Sequence, residues 1–198
     1  MPKITEARRA SRRAEIARAA LRCFARKGFQ ATSMAEIITE SGLSAGAIYV
    51  YYSSKEELAL EATRYVLDRR LEELISVRGE WPLPHPGILV ERFMTGLHRE
   101  IDDLGILIQV WGEAVSNPKM SEIVRGVFVT VRSYFRDFLE EWFSEEGGVD
   151  TEEAARRAET YAPIFVALCQ GYMVQSVLVP GFDGREYLKS ILHIAPVL

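Results

Sequence analysis

Residues 33–58 read SMAEIITESGLSAGAIYVYYSSKEEL, and the helix punctuation in this stretch decides the fold. Ser33 and Glu36 stand at capping-box spacing, where each side chain satisfies the other residue's orphan N–H. The helix they open has about two turns before Gly42 stops it. Ser44 then caps a third short helix reaching Tyr51. Ser54 and Glu57 form a second capping box, which opens a long helix to about Val77. The corner Gly42-Leu43-Ser44 between two short helices has helix-turn-helix geometry, because glycine accepts the left-handed backbone that so tight a turn needs. Ile37, Leu43 and Ile48 fall where they pack the pair together against Leu21 and Phe24. Those two belong to a preceding amphipathic helix over about Arg12–Lys27, closed by Gly28.

The third helix turns Ala45, Gly46, Ala47, Val50 and Tyr51 outward, and side chains this small let a helix backbone approach the floor of a groove. That face lacks Arg, Asn and Gln, the side chains that pair bidentately with base edges. If this face were to read DNA, thymine methyl contacts, the Tyr51 hydroxyl and DNA shape would have to supply more of the specificity. Charge is divided along the chain. Residues 1–55 carry ten Lys and Arg against four Asp and Glu, whereas the remainder is acidic and brings the total to −4. A basic head on an acidic body suits a protein that presents one end to a polyanion. Arg8, Arg9, Arg12 and Arg13 are placed to reach nearby phosphates or an adjacent minor groove.

Strand signals are nearly absent from the rest of the sequence, so the fold class is all-α. Prolines 82, 84 and 86 mark a loop after residue 78. Helices are expected at about 88–103, 105–117, 119–143, 151–179 and 185–194, with Pro163 kinking or restarting the fourth. The domain division is 1–54 for a basic arm and helix-turn-helix (motif about 34–53), 55–78 for a connecting helix and 79–198 for a helical body. No apolar run has the ~20 uninterrupted residues of a membrane span, and the N-terminus lacks a signal peptide's apolar core. A cytoplasmic protein without a membrane partner is expected. Cys23 and Cys169 cannot build a disulfide framework and read as small buried hydrophobes. His85, His98 and His193 form no metal-binding pattern, and no nucleophile elbow or phosphate loop is present. No enzyme activity, cofactor or metal is expected.

From about Arg12 to Leu60 the sequence resembles the DNA-binding domain of the tetracycline-repressor (TetR) family. The resemblance rests on Ala31-Thr32-Ser33, on Ile37 through Gly42-Leu43-Ser44, on Gly46, Ile48, Tyr49, Tyr51 and Tyr52, and on Ser54-Lys55-Glu56-Glu57-Leu58. It implies a three-helix DNA-binding domain ahead of a helical effector-binding and dimerisation domain. It further implies phosphate contacts from Thr32, Ser33, Tyr49, Tyr51 and Lys55, with Ser44, Ala45, Gly46, Ala47 and Val50 at the groove and Arg12 and Arg13 alongside. Two departures stand out: Ile38 replaces the alanine usual at the helix crossing, and Met34-Ala35 stand where some members carry a base-reading arginine.

Helix 119–143 carries two seven-residue series, Val124, Val131, Phe138 and Phe128, Phe135, Trp142. Together with 163–179 it is apolar on most faces, so both helices want neighbours on two sides. The resemblance implies that the second neighbour is another copy, paired as a four-helix bundle through Phe135, Phe138, Cys169, Gly171 and Tyr172. It also implies a pocket for an apolar or amphipathic small molecule, with Phe93, Leu97, Leu107, Trp111, Phe128, Phe165 and Met173 as walls and Glu113, Asn117 and Arg132 as polar anchors. The function expected is a homodimeric repressor released from a palindromic operator in double-stranded DNA by that effector. The alternatives are a ligand-dependent activator, a helical adaptor that binds no DNA, and an enzyme.

Overall fold

The structure is a computed structural model that describes residues 6–77, 80, 82–101 and 103–193. The described residues form helices and connecting turns: α1 (Glu6–Ala31), α2 (Met34–Ser41), α3 (Ala45–Tyr49), α4 (Lys55–Val77), α5 (Pro86–Glu100), α6 (Gly105–Ser116), α7 (Pro118–Glu145), α8 (Thr151–Leu178) and α9 (Gly184–Ile191). α1 starts six residues before the position expected from the apolar pattern, so Arg8 and Arg9 are helical. Its regular part ends at Gly28, whose φ of 78° and ψ of 164° break the helix. α8 continues through Pro163 as one helix and does not restart there. By length and composition alone α8 is apolar enough to cross a membrane, and a third of its most apolar window is buried.

The chain divides into two compact units, and the division is not contiguous. The first comprises residues 1–68 and 101–123, and the second comprises 69–100 and 124–198. α6 therefore belongs with the N-terminal helices rather than with a body beginning at residue 79.

In the first unit, Ile16, Ala20 and Phe24 of α1 meet Ile37 of α2, Ile48 of α3 and Leu58 of α4 in a core from which water is almost wholly excluded. The Phe24 and Phe29 rings lie 5.4 Å apart, within the range where tilted aromatic pairs attract. In the second unit Phe93, Phe135 and Phe165 form a ladder with centroid spacings of 6.5 and 5.7 Å. Ala154, Ala158 and Ala162, one turn apart on α8, are fully buried. Cys23 and Cys169 are buried free thiols, and burial pushes the Cys169 thiol up to about 12.

Gly28 anchors the first unit through its backbone. Its φ and ψ lie in a region open essentially to glycine alone, and a β-carbon there would also collide with the Gln109 side chain of α6. Gly28→Ala should lower the unfolding free energy by about 1–3 kcal/mol, read as a shift in urea midpoint. An unchanged midpoint would show that the turn relaxes without strain.

Candidate nucleic-acid interface

The helix-turn-helix is closed by its own polar groups. Ser33 is extended, its hydroxyl accepts from the Glu36 N–H at 3.2 Å, and the Glu36 carboxylate accepts from the Ser33 N–H at 2.8 Å. Gly42 has φ 67° and ψ 11°, the left-handed conformation the corner requires. The Ser44 hydroxyl accepts from the Ala47 N–H at 3.2 Å and starts α3. Ser54 likewise accepts from the Glu57 N–H, but the Glu57 carboxylate takes the N–H of Ser53 rather than that of Ser54. The second box is thus offset by one residue.

Several residues expected at DNA face inward. The Thr32 side chain is buried, and its hydroxyl donates to the Gly28 and Cys23 carbonyls at 2.7 and 3.2 Å. It therefore ties down the end of α1 and cannot serve as a phosphate contact. The Lys55 ammonium donates to the Phe29 and Gln30 carbonyls at 2.8 and 3.1 Å and sits 4.5 Å from the Phe29 ring centroid. Lysine near the last carbonyls of a helix is favoured by the helix dipole. Arg13 reaches Glu61 at 2.7 Å and donates to the hydroxyl of buried Tyr52 at 3.4 Å, joining α1 to α4. Arg12 pairs with Glu15 at 2.7 Å on the same helix. No local signal marks the closures made by Lys55 and Arg13, because they meet partners 25 to 48 positions away.

What remains outward is the surface around α3. Val50 is 79% exposed and Tyr49 is 52% exposed. Ser33, Ser44, Ala45 and Gly46 are also exposed, while Ala47 and Tyr51 are half-buried. Arg22 and Arg26 hold Glu40 at 2.7 and 2.6 Å, and Lys27 pairs with Glu36. These ion pairs brace α2 against α1.

The candidate effector residues fall on both units. Leu107, Trp111, Glu113 and Asn117 belong to the first, whereas Phe93, Leu97, Phe128, Arg132, Phe165 and Met173 belong to the second. Three expected polar anchors have other work. Gln30 and Asn117 both hydrogen-bond the Glu113 carboxyl and hold it below the usual carboxylate range. The Asn117 side-chain oxygen accepts from the Lys119 and Met120 N–H groups at the start of α7. Arg132 is exposed and pairs with Glu159 at 2.7 Å. Phe93, Leu97, Phe165 and Met173 are buried within the second unit.

The expected dimer residues also need correction. Phe135, Phe138, Cys169 and Tyr172 are buried in the second unit's own core, so they offer no free face to another copy. Gly171 is half-buried, and a β-carbon there would lie 2.8 Å from the Tyr187 hydroxyl, so its closeness serves α8 and α9 of one chain. The apolar series on α7 and α8 had two possible destinations, and these residues took the interior.

Residues 16–62 match the family described as bacterial regulatory proteins, tetR family. Over 73 residues the chain is 42% identical to the HTH-type transcriptional regulator YfiR of Bacillus subtilis, a match spanning 37% of this chain and 36% of YfiR. Over 79 residues it is 34% identical to the HTH-type transcriptional repressor AcnR of Corynebacterium jeikeium, spanning 40% of this chain and 41% of AcnR. The chain thus spans about two fifths or less of these relatives' lengths. Among solved structures, a transcriptional regulator from Rhodococcus sp. Rha1 superposes with a TM-score of 0.66 at 25% identity, over 92% of each chain. A TetR transcription regulator from Haloarcula marismortui has the same fold with a TM-score of 0.74 at 20% identity, over 94% of this chain and 95% of that one.

The capping box carries a pH prediction. Lys27, then the Ser33 N–H and hydroxyl, hold the Glu36 carboxyl at about 2, against an ordinary value of 4.5. The stabilisation by ionised Glu36 is therefore fully present above pH 4.5 and lost as pH falls towards 2. Glu36→Gln should flatten that part of the acid limb in thermal unfolding followed by circular dichroism. An identical acid limb in the variant would remove Glu36 from the titration.

Proposed function

The chain belongs, through its N-terminal head, to the tetR family of bacterial regulatory proteins, and from that premise we propose that it is a cytoplasmic DNA-binding transcriptional repressor. The observation that supports this reading most is the contrast within the head. Its caps, ion pairs and buried hydroxyls are engaged internally, while Tyr49 and Val50 project from α3 into solvent. An exposed valine beside an exposed tyrosine at the end of a short helix suits a helix that enters a groove. In the proposed role, α3 enters the major groove, Tyr49, Tyr51 and Ser33 approach phosphates, and Arg8 and Arg9 follow the backbone. The names of relatives such as AcnR favour repression over activation. An apolar or amphipathic effector is proposed to act through the aromatic interior of the second unit, Phe93, Phe128, Phe165 and Met173, and to release the DNA.

Val50→Glu tests the placement of α3. With so exposed a side chain the variant should unfold at the wild-type temperature. Its retention of specific fragments from sheared genomic DNA should drop by roughly a hundredfold or more, since it sets a carboxylate against a polyanion. Wild-type retention by the folded variant would remove α3 from the interface.

The proposal includes a homodimer, now on different residues. Ile164, Ala167, Val174 and Leu178 lie on one face of α8 at spacings of three, seven and four and are all exposed, with half-buried Gly171 between the middle two and Val177 beside them. This stripe, on a helix whose opposite side is already buried, fits a second copy related by two-fold symmetry. A permanent pairing of that kind buries about 2,000 Å² or more. Val174→Glu should convert a sedimenting dimer into a folded monomer at micromolar concentration. A monomeric wild-type protein, or a dimeric variant, would overturn this interface.

A further inference from the structure

We infer that the head discriminates its half-site through thymine C5-methyl groups packed against Val50 and its neighbours, rather than through hydrogen bonds to base edges. The inference rests on the DNA-binding reading above and specifies its recognition chemistry. It follows from an inventory of the motif. Between Gln30 and Lys55 the sequence contains no Arg, Lys, His, Asn or Gln. The only charged side chains in that interval are Glu36 and Glu40, and both are held by basic residues of α1. No side chain of α2 or α3 can therefore make the bidentate pairs by which guanine and adenine edges are read.

The hydroxyls narrow the choice further. Thr32 is buried on main-chain carbonyls, and Thr39 and Ser41 donate to the Ala35 and Ile38 carbonyls within α2. Ser33, Ser44 and Ser54 accept the N–H groups that begin α2, α3 and α4, and Ser53 donates to Glu57. Tyr52 is buried against Arg13. Between Gln30 and Lys55 the Tyr49 and Tyr51 hydroxyls are in no hydrogen bond, and those of Ser44 and Ser54 only accept one, so each of the four keeps an O–H to offer. Each is one O–H, which cannot by itself distinguish the four base pairs.

The surface left to read sequence is thus Val50, Ala47, Ala45 and the Tyr49 ring. In the major groove, the apolar feature that differs between base pairs is the thymine methyl. A methyl group moved from water into contact with an exposed valine gains about fourfold in affinity. Discrimination by this route is modest per contact and is additive over several contacts. It also predicts tolerance of any change to the base that keeps the methyl.

The test begins by selecting full-length protein on a random 30-base-pair duplex pool. The enriched duplex is then resynthesised with deoxyuridine in place of thymidine, which removes only the C5-methyl and keeps the pairing. Affinity by fluorescence anisotropy should fall about fourfold for at least one thymidine in each half-site. In Val50→Ala the same substitution should cost much less, because the methyl has lost its partner. Equal binding of the thymidine and deoxyuridine duplexes by wild type would overturn the inference while leaving DNA binding intact. A pool that shows no enrichment would overturn the DNA-binding reading itself, and this inference with it.

Discussion

The carbonyl groups at the end of α1 are the constraint on which the head is built. A helix leaves its last four carbonyls without partners, and burying them so costs free energy comparable to lost hydrogen bonds. Here Gly28 turns the chain out of the helix, Thr32 donates back to Gly28 and Cys23, and Lys55 donates to Phe29 and Gln30. Gln30 in turn contacts Glu113 of α6. Two segments distant in sequence, the start of α4 and α6, are thereby fixed to one helix end. The position of α2 follows, because Ser33 comes directly after Thr32 and begins the capping box. The position of α4 follows as well, because its first residue is Lys55.

This closure changes how the basic charge of the N-terminal segment is understood. Arg13, Arg22, Arg26 and Lys27 each face a carboxylate of α2 or α4, and Lys55 faces main-chain oxygens. Exposed pairs of this kind contribute at most about 1 kcal/mol each, so their role is mainly to orient helices. The consequence for DNA is a field from a basic surface with few cations free to reach out. Arg8, Arg9 and Arg18 are exposed on α1, with Arg9 in a loose 4.0 Å pair with Glu6.

The local features of the head were legible in the sequence, and the long-range ones were not. The Ser33–Glu36 box, the Gly42 corner and the Ser44 cap are set by residues within three positions of each other, so spacing alone identifies them. The inward bonds of Lys55 and Thr32 could not be read, because residue type cannot tell an outward lysine from one folded over a helix end. α6 looked like part of the body because chain order places it after α5, whereas its packing on α1 depends on contacts that only folding creates. On α7 and α8 the apolar pattern revealed two faces without ranking them. In the fold Phe135, Phe138 and Tyr172 lie inside together with Ala154, Ala158 and Ala162, while Ile164, Ala167 and Val174 stay at the surface.

The proposed recognition by apolar contact and the proposed two-fold partner support each other. A methyl contact contributes about fourfold, against the tenfold to hundredfold or more of a bidentate arginine–guanine pair. One copy of a five-residue helix touching a few base pairs therefore discriminates poorly, and the head offers no stronger reader with which to compensate. Two heads held by one interface multiply their discrimination, because both half-sites must match before either set of contacts is fully made. The exposed stripe on α8 is thus the complement of the bare surface on α3. A head with such weak individual contacts becomes selective only when a second copy of the chain supplies the same contacts again.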